Sequence, residues 1–96
     1  MESEYELMVV LRGDLSESNR ETTLEEIKKL IEGKKGKVTS AESWGVRDLA
    51  YKIKKQEKGF YTLINFSADN KTPAFLNSKL KLMEELLRYL VVRKGD

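Results

Sequence analysis

The sequence predicts an α+β fold in which one four-stranded antiparallel sheet carries two helices on the same face. Two patterns support this prediction. Four segments alternate apolar and polar residues, as strands do, and two segments place apolar residues three or four positions apart, as amphipathic helices do. The resulting order is β-α-β-β-α-β. Chain connectivity then leaves few arrangements other than a sheet with both helices on one side.

The first strand and the first helix have clear boundaries in the sequence. Residues 5–12 alternate in polarity and are rich in β-branched and aromatic side chains, and Gly13 ends the segment. Either Ser16 or Ser18 can cap the following helix, and Ser18 has the glutamate of a capping box three positions later. The apolar residues that define the covered side of this helix are Leu24, Ile27, Leu30 and Ile31.

The second half of the chain is predicted to supply three strands and another helix. Residues 37–53 form a long extended segment, interrupted near Gly45, where a residue without Cβ permits a bulge or a bend. A short turn leads to a strand over residues 60–66, so these two strands are expected to form an antiparallel hairpin. Thr72, followed by proline, is predicted to be the N-cap of a helix of about three turns. Residues 86–93 give the last strand.

This order of elements is that of the ferredoxin-like fold, in which helices cover one face of the sheet and leave the other open. The alternation along each strand assigns to the covered face Leu7, Val9, Leu11, Phe60, Ile64, Phe66, Tyr89 and Val91. The open face then carries Met8, Val10, Tyr61, Leu63, Asn65, Arg88, Leu90 and Val92. Because most of these residues are apolar, the face predicts a contact site for another protein. The residues predicted for this protein interface are Met8, Val10, Tyr61, Leu63, Arg88, Leu90 and Val92.

Composition limits the classes of function. The 96 residues suit a single domain over 1–96, with about residues 4–93 ordered and short flexible ends. The chain lacks cysteine and histidine, which removes disulfides, the commonest metal ligands and the commonest general base, so an enzyme is not expected. The start is acidic where a signal peptide needs cations, and no apolar run reaches the roughly 18 residues that span a membrane. A cytoplasmic protein is expected.

Charge is divided between the two parts of the chain. Residues 1–33 contain four Lys/Arg and nine Asp/Glu, a net of −5, whereas residues 34–96 contain fourteen and seven, a net of +7. Within the basic part, residues 47–58 set five cations against two carboxylates. This density predicts contact with phosphate groups, and a solvated strand face is the alternative interpretation. The row of Leu49, Tyr51 and Ile53 is predicted to pack, and Trp44 and Tyr51 are expected in core or hinge positions.

Four blocks of the sequence, taken together, resemble the family of ribosomal protein six of the bacterial small subunit. The blocks are YELMVVLR followed by DLSE, WGVRDLAYKIKK, GFYTLINF and LLRYLVVR, at residues 5–17, 44–55, 59–66 and 86–93. Each block alone is a weak signal because many strands look alike. Their order and spacing cover nearly the whole chain, and the combination is specific.

The resemblance implies a ribosomal protein that binds the central domain of small-subunit ribosomal RNA together with ribosomal protein eighteen. It implies no catalytic activity, no cofactor, no metal, no small-molecule substrate and no membrane association. The RNA-binding residues expected on this basis are Arg47, Lys52, Lys54, Lys55, Lys58, Arg93 and Lys94. Asp48 stands where members often carry a second cation, Lys52 stands where proline is common, and the charged tail of many members is missing.

A second class of function stays open from the fold alone. Ferredoxin-like sheets often pair through an open face or an edge, so a dimerising or ligand-sensing regulatory module is the alternative. The sequence contains no glycine-rich stretch typical of a phosphate-cradling loop.

Overall fold

The computed structural model of the protein describes residues 2–95 and has the predicted order of elements. The elements are β1 (Glu2–Arg12), α1 (Glu17–Gly33), β2 (Lys37–Ile53), β3 (Gln56–Asp69), α2 (Thr72–Leu80) and β4 (Leu86–Arg93). The strands form one four-stranded antiparallel sheet in the order β2-β3-β1-β4. The predicted α+β, ferredoxin-like fold is therefore confirmed.

The sheet begins earlier than the sequence pattern indicates. Glu2 and Ser3 already belong to β1 and pair with Asp69 and Ala68 of β3, which is longer than the predicted segment. Directly after β4, the backbone N–H of Lys94 donates a hydrogen bond to the backbone carbonyl of Glu4 in β1. Of the predicted flexible ends, Met1 and Asp96 lie outside the described residues.

The first helix begins at the earlier of its two candidate caps. Ser16 has an extended backbone, and its side-chain oxygen accepts a hydrogen bond of 3.1 Å from the backbone N–H of Asn19. Ser18 lies within the helix instead. Ile27 and Ile31 are fully buried against the sheet, as the apolar spacing predicts.

The N-cap position of α2 is Lys71 rather than the predicted Thr72, and the side chain of Lys71 makes no capping hydrogen bond. The carboxylate of Asp69 accepts hydrogen bonds from the backbone N–H of Lys71 at 2.9 Å and from the backbone N–H and hydroxyl of Thr72 at 3.2 Å. These hydrogen bonds lower the pKa of Asp69 from its ordinary value, and the one from the backbone of Lys71 contributes most. Thr72 is thus the first helical residue and a donor, because a carboxylate at the end of β3 is the stronger acceptor for the free N–H groups.

The core lies between the two helices and one face of the sheet, on the side that the alternation assigns. Its fully or almost fully buried apolar members are Tyr5, Leu7, Val9, Leu11, Ile27, Ile31, Ile64, Phe66, Ala68, Leu76, Leu80 and Leu86. The other residues assigned to this face, Phe60, Tyr89 and Val91, are partly buried and pack against it. The assignment of the covered face is confirmed.

The second strand is irregular where it runs along β3. Its register slips at Thr39 and again at Trp44, each of which is an extra residue with no partner in the pairing. Gly45, next to the second slip, has a φ of 87°, a backbone conformation that glycine adopts far more easily than other residues. The interruption predicted near Gly45 is therefore confirmed as a β-bulge.

Candidate functional site

Residues 47–58, here called the arm, leave the plane of the sheet at the end of the β2-β3 hairpin. Asp48 pairs with Lys58 and Ile53 with Gln56, so residues 49–52 of β2 oppose the single residue Glu57. An excess of this kind bends a strand strongly. The turn itself is Lys54-Lys55, with positive φ of 50° and 66° at these two residues, the conformation of a two-residue type I′ hairpin.

The arm crosses the open face and reaches the opposite edge of the sheet. Nζ of Lys54 donates a hydrogen bond of 2.9 Å to the backbone carbonyl of Leu86, the first residue of β4. The guanidinium of Arg88 lies 5.7 Å from the centroid of the Tyr51 ring. Because β3 and β1 separate β2 from β4, both contacts require the arm to pass over the sheet.

The arm covers one end of the open face. The side chains of Val10 and Leu49 both lie against Cα of Gly59, where a Cβ would meet them. Val10 is therefore only 4% exposed, although the sequence assigns it to the protein interface. The alternation along β1 assigns Val10 to the correct face of the sheet. It cannot predict that the arm, which is distant in the sequence, bends over and covers this side chain.

Two aromatic residues of this region, expected in core or hinge positions, lie outside the core. Trp44 and Tyr51 are 42% and 60% exposed, so the predicted packing of Tyr51 beside Leu49 and Ile53 is wrong, whereas Trp44 lies at the bulge next to Gly45, which is a hinge position. Trp44 is the extra residue of a bulge, and its Nε1 donates to Oε1 of Glu42 at 2.8 Å. Tyr51 lies in the unpaired stretch 49–52, where the alternation that predicts packing no longer applies, whereas Leu49 and Ile53 on either side are half-buried.

The opposite end of the open face is bounded by a row of polar groups. Nζ of Lys94 donates to Oδ1 of Asn65 at 3.3 Å, and Nδ2 of Asn65 donates to Oγ of Ser40 at 2.9 Å. The hydroxyl of Thr39 donates to the backbone carbonyl of Asn65 at 3.1 Å. Asn65 thus joins β2, β3 and the residue after β4, a role that its position in an alternating strand does not reveal.

Between these two ends lies an apolar row, here called the apolar window, formed by Met8, Leu63 and Leu90. Met8 pairs directly with Leu63 on β3 and with Leu90 on β4. Leu90 is 62% exposed, and the other two are half-buried. Val92 is exposed beside it, and Tyr61 is half-buried toward the arm. This row is a continuous apolar surface that crosses three strands.

The predicted phosphate-binding cations differ in their local partners. Lys58 pairs with Asp48 at 3.1 Å and Lys52 with Glu57 at 3.9 Å, both at exposed positions. Such exposed ion pairs contribute little to stability, so each lysine can leave its carboxylate and bind another anion. Nε of Arg47 donates to the carbonyl of Trp44 at 3.4 Å. For Lys55 and Arg93, both exposed, no side-chain hydrogen bond or ion pair occurs within residues 2–95.

The returning strand of the arm, from Gln56 to Lys58, is attached to the loop after β1 by residues that the sequence pattern does not single out. Arg12 and Asp14 form a bidentate ion pair, with distances of 3.1 and 3.0 Å, and Nε2 of Gln56 donates to Asp14 at 3.3 Å. The hydrogen bond from Arg12 lowers the pKa of Asp14. The backbone N–H of Gly13 also donates to the carbonyl of Lys58 at 3.1 Å.

The described residues present a surface that suits binding. In residues 2–95, His, Cys, Asp and Glu form no group of three or more that could hold a metal ion. No described helix is long and apolar enough to cross a membrane. An apolar row flanked by exposed cations, on a sheet face without a helix, is the surface of a binding module.

Comparison with known proteins identifies the family. The family model for ribosomal protein S6 matches residues 4–93. The small ribosomal subunit protein bS6 of Thermoanaerobacter pseudethanolicus is 42% identical over 92 residues, which cover 96% of this chain and 97% of the relative. The bS6 protein of Symbiobacterium thermophilum is 38% identical over 92 residues, with the same coverage. The crystal structure of 30S ribosomal protein S6 from Thermotoga maritima superposes with a TM-score of 0.91 at 35% identity, covering 98% of this chain and 89% of that one.

The chain belongs to the ribosomal protein S6 family. This is a family of structural, non-enzymatic proteins of the small ribosomal subunit, which in bacteria lies in the cytoplasm. Family membership confirms the resemblance read from the four sequence blocks and the prediction that the chain is not an enzyme.

Proposed function

We propose that this protein binds the central domain of small-subunit ribosomal RNA together with ribosomal protein S18. In this arrangement the open face receives the protein partner, and the arm with the basic end of β4 receives the RNA. The observation that carries the proposal is the position of the apolar window on the open face, between the basic arm at one end and Lys94 at the other.

The apolar window supports a protein partner. Met8, Leu63 and Leu90 form one row across the sheet, and Leu90 has most of its side chain in water. Burying such a row against apolar groups of a partner removes its surface from water, which favours association. Arg88 and Tyr61, at the arm end of the row, supply side-chain types that are enriched at protein interfaces.

The cations around the window support contact with RNA. Arg47, Lys52, Lys55 and Lys58 lie in the arm, and Arg93 with Lys94 lies at the end of β4. Their contacts are expected with phosphate and sugar oxygens, which position a protein without reading the base sequence. Recognition then depends on the shape of the RNA, and affinity falls as salt rises because counterions are released.

Filter binding to a fragment of the central domain tests the proposal. The protein alone should bind the fragment weakly, and addition of S18 should raise the affinity strongly because the two proteins then share one RNA site. The control is an RNA of equal length from another domain of the small-subunit RNA. Equal affinity for the central domain with and without S18 would contradict the proposal.

The alternative is a dimerising or ligand-sensing module, and the exposed side chain of Leu90 is the observation that favours it. A second copy could cover the same apolar row. Sedimentation equilibrium separates the two functions, since the proposal expects a monomer in the absence of S18. A stable homodimer, or a ligand that raises the melting temperature, would support the module.

A further inference from the structure

We propose that Lys54 is a positioning residue that holds the arm across the sheet, and that phosphate contact falls to the other cations of the arm. The observation is the hydrogen bond of 2.9 Å from its Nζ to the carbonyl of Leu86. Its effect on RNA rests on the proposed function above. The position of the arm, by contrast, is a property of the free protein and can be measured without RNA.

The arm needs support beyond the pairing of its two strands. Lys54 and Lys55 both have positive φ, which disfavours residues with a Cβ, and the preferred pair for such a turn is Asn-Gly. Residues 49–52 have no partner in β3. A hairpin with a disfavoured turn and an interrupted ladder is expected to be mobile unless other contacts fix it.

Leu86 gives Lys54 a firm anchor. It is 3% exposed, belongs to the core and pairs with Leu11 in the sheet. The preceding carbonyl, that of Glu85, accepts a hydrogen bond of 2.9 Å from the backbone N–H of Arg12. A lysine ammonium that donates to a carbonyl in this setting connects the tip of the arm to a buried, strand-paired residue of the core.

A second contact joins the same two elements. The guanidinium of Arg88 lies against the Tyr51 ring, and Arg88 is also a residue of the predicted protein interface. Tyr51 and Lys54 together fix two points of the arm onto β4. The arm therefore ends beside the apolar window, which places its cations next to the surface proposed for the protein partner.

The neighbouring lysines have partners of a different kind. Lys52 and Lys58 pair with exposed carboxylates of the arm itself, and an incoming phosphate can replace these. The partner of Lys54 is a backbone carbonyl, and their hydrogen bond is partly buried. Transfer of Lys54 to a phosphate would leave that carbonyl without its donor, which is unfavourable.

The test compares Lys54→Met with Lys55→Met. Both variants lose one charge at the same turn and keep an unbranched side chain, and only the first loses the hydrogen bond to Leu86. Amide hydrogen exchange at Ile53 and Gln56, which pair next to the turn, should become roughly five- to tenfold faster in Lys54→Met in the free protein, the factor expected for one net hydrogen bond. It should stay unchanged in Lys55→Met. Lys54→Arg retains a donor and should restore slow exchange.

Binding to the central-domain RNA with S18 present gives a second readout. Lys54→Met should lower the affinity while leaving the slope of log affinity against log salt unchanged, and Lys55→Met should reduce that slope by about one. Equal exchange rates in the two variants would overturn the positioning role, as would a slope reduced by about one in Lys54→Met. If the RNA fails to bind at all, the proposed function fails and the exchange result still decides the role of Lys54.

Discussion

Met8 and Leu63 are direct cross-strand neighbours at the centre of the sheet, and both lie on the face that the helices leave open. Antiparallel sheets commonly pack one face against the core and leave the other in water, and here the two helices cover one face only. The arm and the Asn65 row narrow the uncovered area from its two ends. The area that stays uncovered is a small apolar surface of defined position. Single substitutions of its residues can therefore test the proposed interface.

Leu90→Asp is expected to weaken S18 binding at least tenfold while leaving the protein folded. Leu90 is 62% exposed, so an aspartate there remains hydrated in the free protein and is desolvated only in the complex. The free energy of unfolding should change by about 0.5 kcal/mol or less. Titration calorimetry with S18 and urea denaturation measure the two effects.

Leu82→Asp is the matched control for this substitution. Leu82 is 72% exposed and lies between α2 and β4, outside the open face. It should leave both S18 affinity and stability unchanged. Weakened S18 binding in the control, or unfolding of Leu90→Asp at low urea, would contradict the assignment of the faces.

Gly59→Ala is expected to destabilise the protein by about 1–3 kcal/mol, because the added Cβ would clash with Cγ1 of Val10 and press on Leu49. Gly33→Ala is the control, since no atom lies within 4 Å of a Cβ at that position. Its free energy of unfolding should be unchanged or slightly higher. Urea denaturation measures the stability of both variants, and equal stability of the two would show that Val10 and Leu49 do not lie against Gly59.

Lys55→Gly is expected to raise the free energy of unfolding by up to about 1 kcal/mol. Glycine adopts positive φ without the cost that a Cβ imposes, and this gain exceeds the extra freedom of glycine in the unfolded chain. Lys55→Ala removes the same charge and retains the Cβ, so it should show no such gain. Thermal unfolding of the two variants at equal salt compares them, and a lower midpoint for the glycine variant would refute the turn geometry.

The protein should become less stable in acid partly because Asp69, whose carboxylate accepts hydrogen bonds at the start of α2, becomes protonated. Its pKa in the folded protein lies below the ordinary value of 3.8, so its contribution is fully present above about pH 4 and is lost as the pH falls through the folded pKa. Asp69→Asn should be less stable than the parent at pH 7, and the difference should shrink as the pH falls below about 4. Urea denaturation at pH 7 and at a series of lower pH values measures this difference, and a difference independent of pH would exclude the charge as its cause.

Local patterns predict most of the fold because each strand face and helix face is set by residues two to four positions apart. The alternation in β1 correctly predicts which residues reach the core, and the spacing of Ile27 and Ile31 correctly predicts the buried side of α1. Four matching blocks, in order, were enough to indicate the family.

The features that shape the candidate site depend on residues far apart in the chain. Lys54 and Leu86 are separated by 32 positions, and no periodicity brings them together. Four residues of β2, 49–52, oppose one residue of β3, so the alternation that predicts packing of Leu49, Tyr51 and Ile53 fails at Tyr51. The cap by Asp69 was missed for a related reason, because a side chain from the preceding strand competes with the residue that local preference selects.

The pairing of β1 also bears on how the chain folds during synthesis. β1 is made first, yet its two neighbours are β3 and β4, and Tyr5 pairs with Arg93 near the other terminus. The nascent chain can form α1 and the β2-β3 hairpin early. The edge strand β4 is added only after residues 86–93 have left the exit tunnel. Until β4 pairs with it, the newly made β1 leaves the N–H and C=O groups of one side unpaired, and such an edge favours aggregation. Pairing with the eight residues of β4 removes this exposed edge.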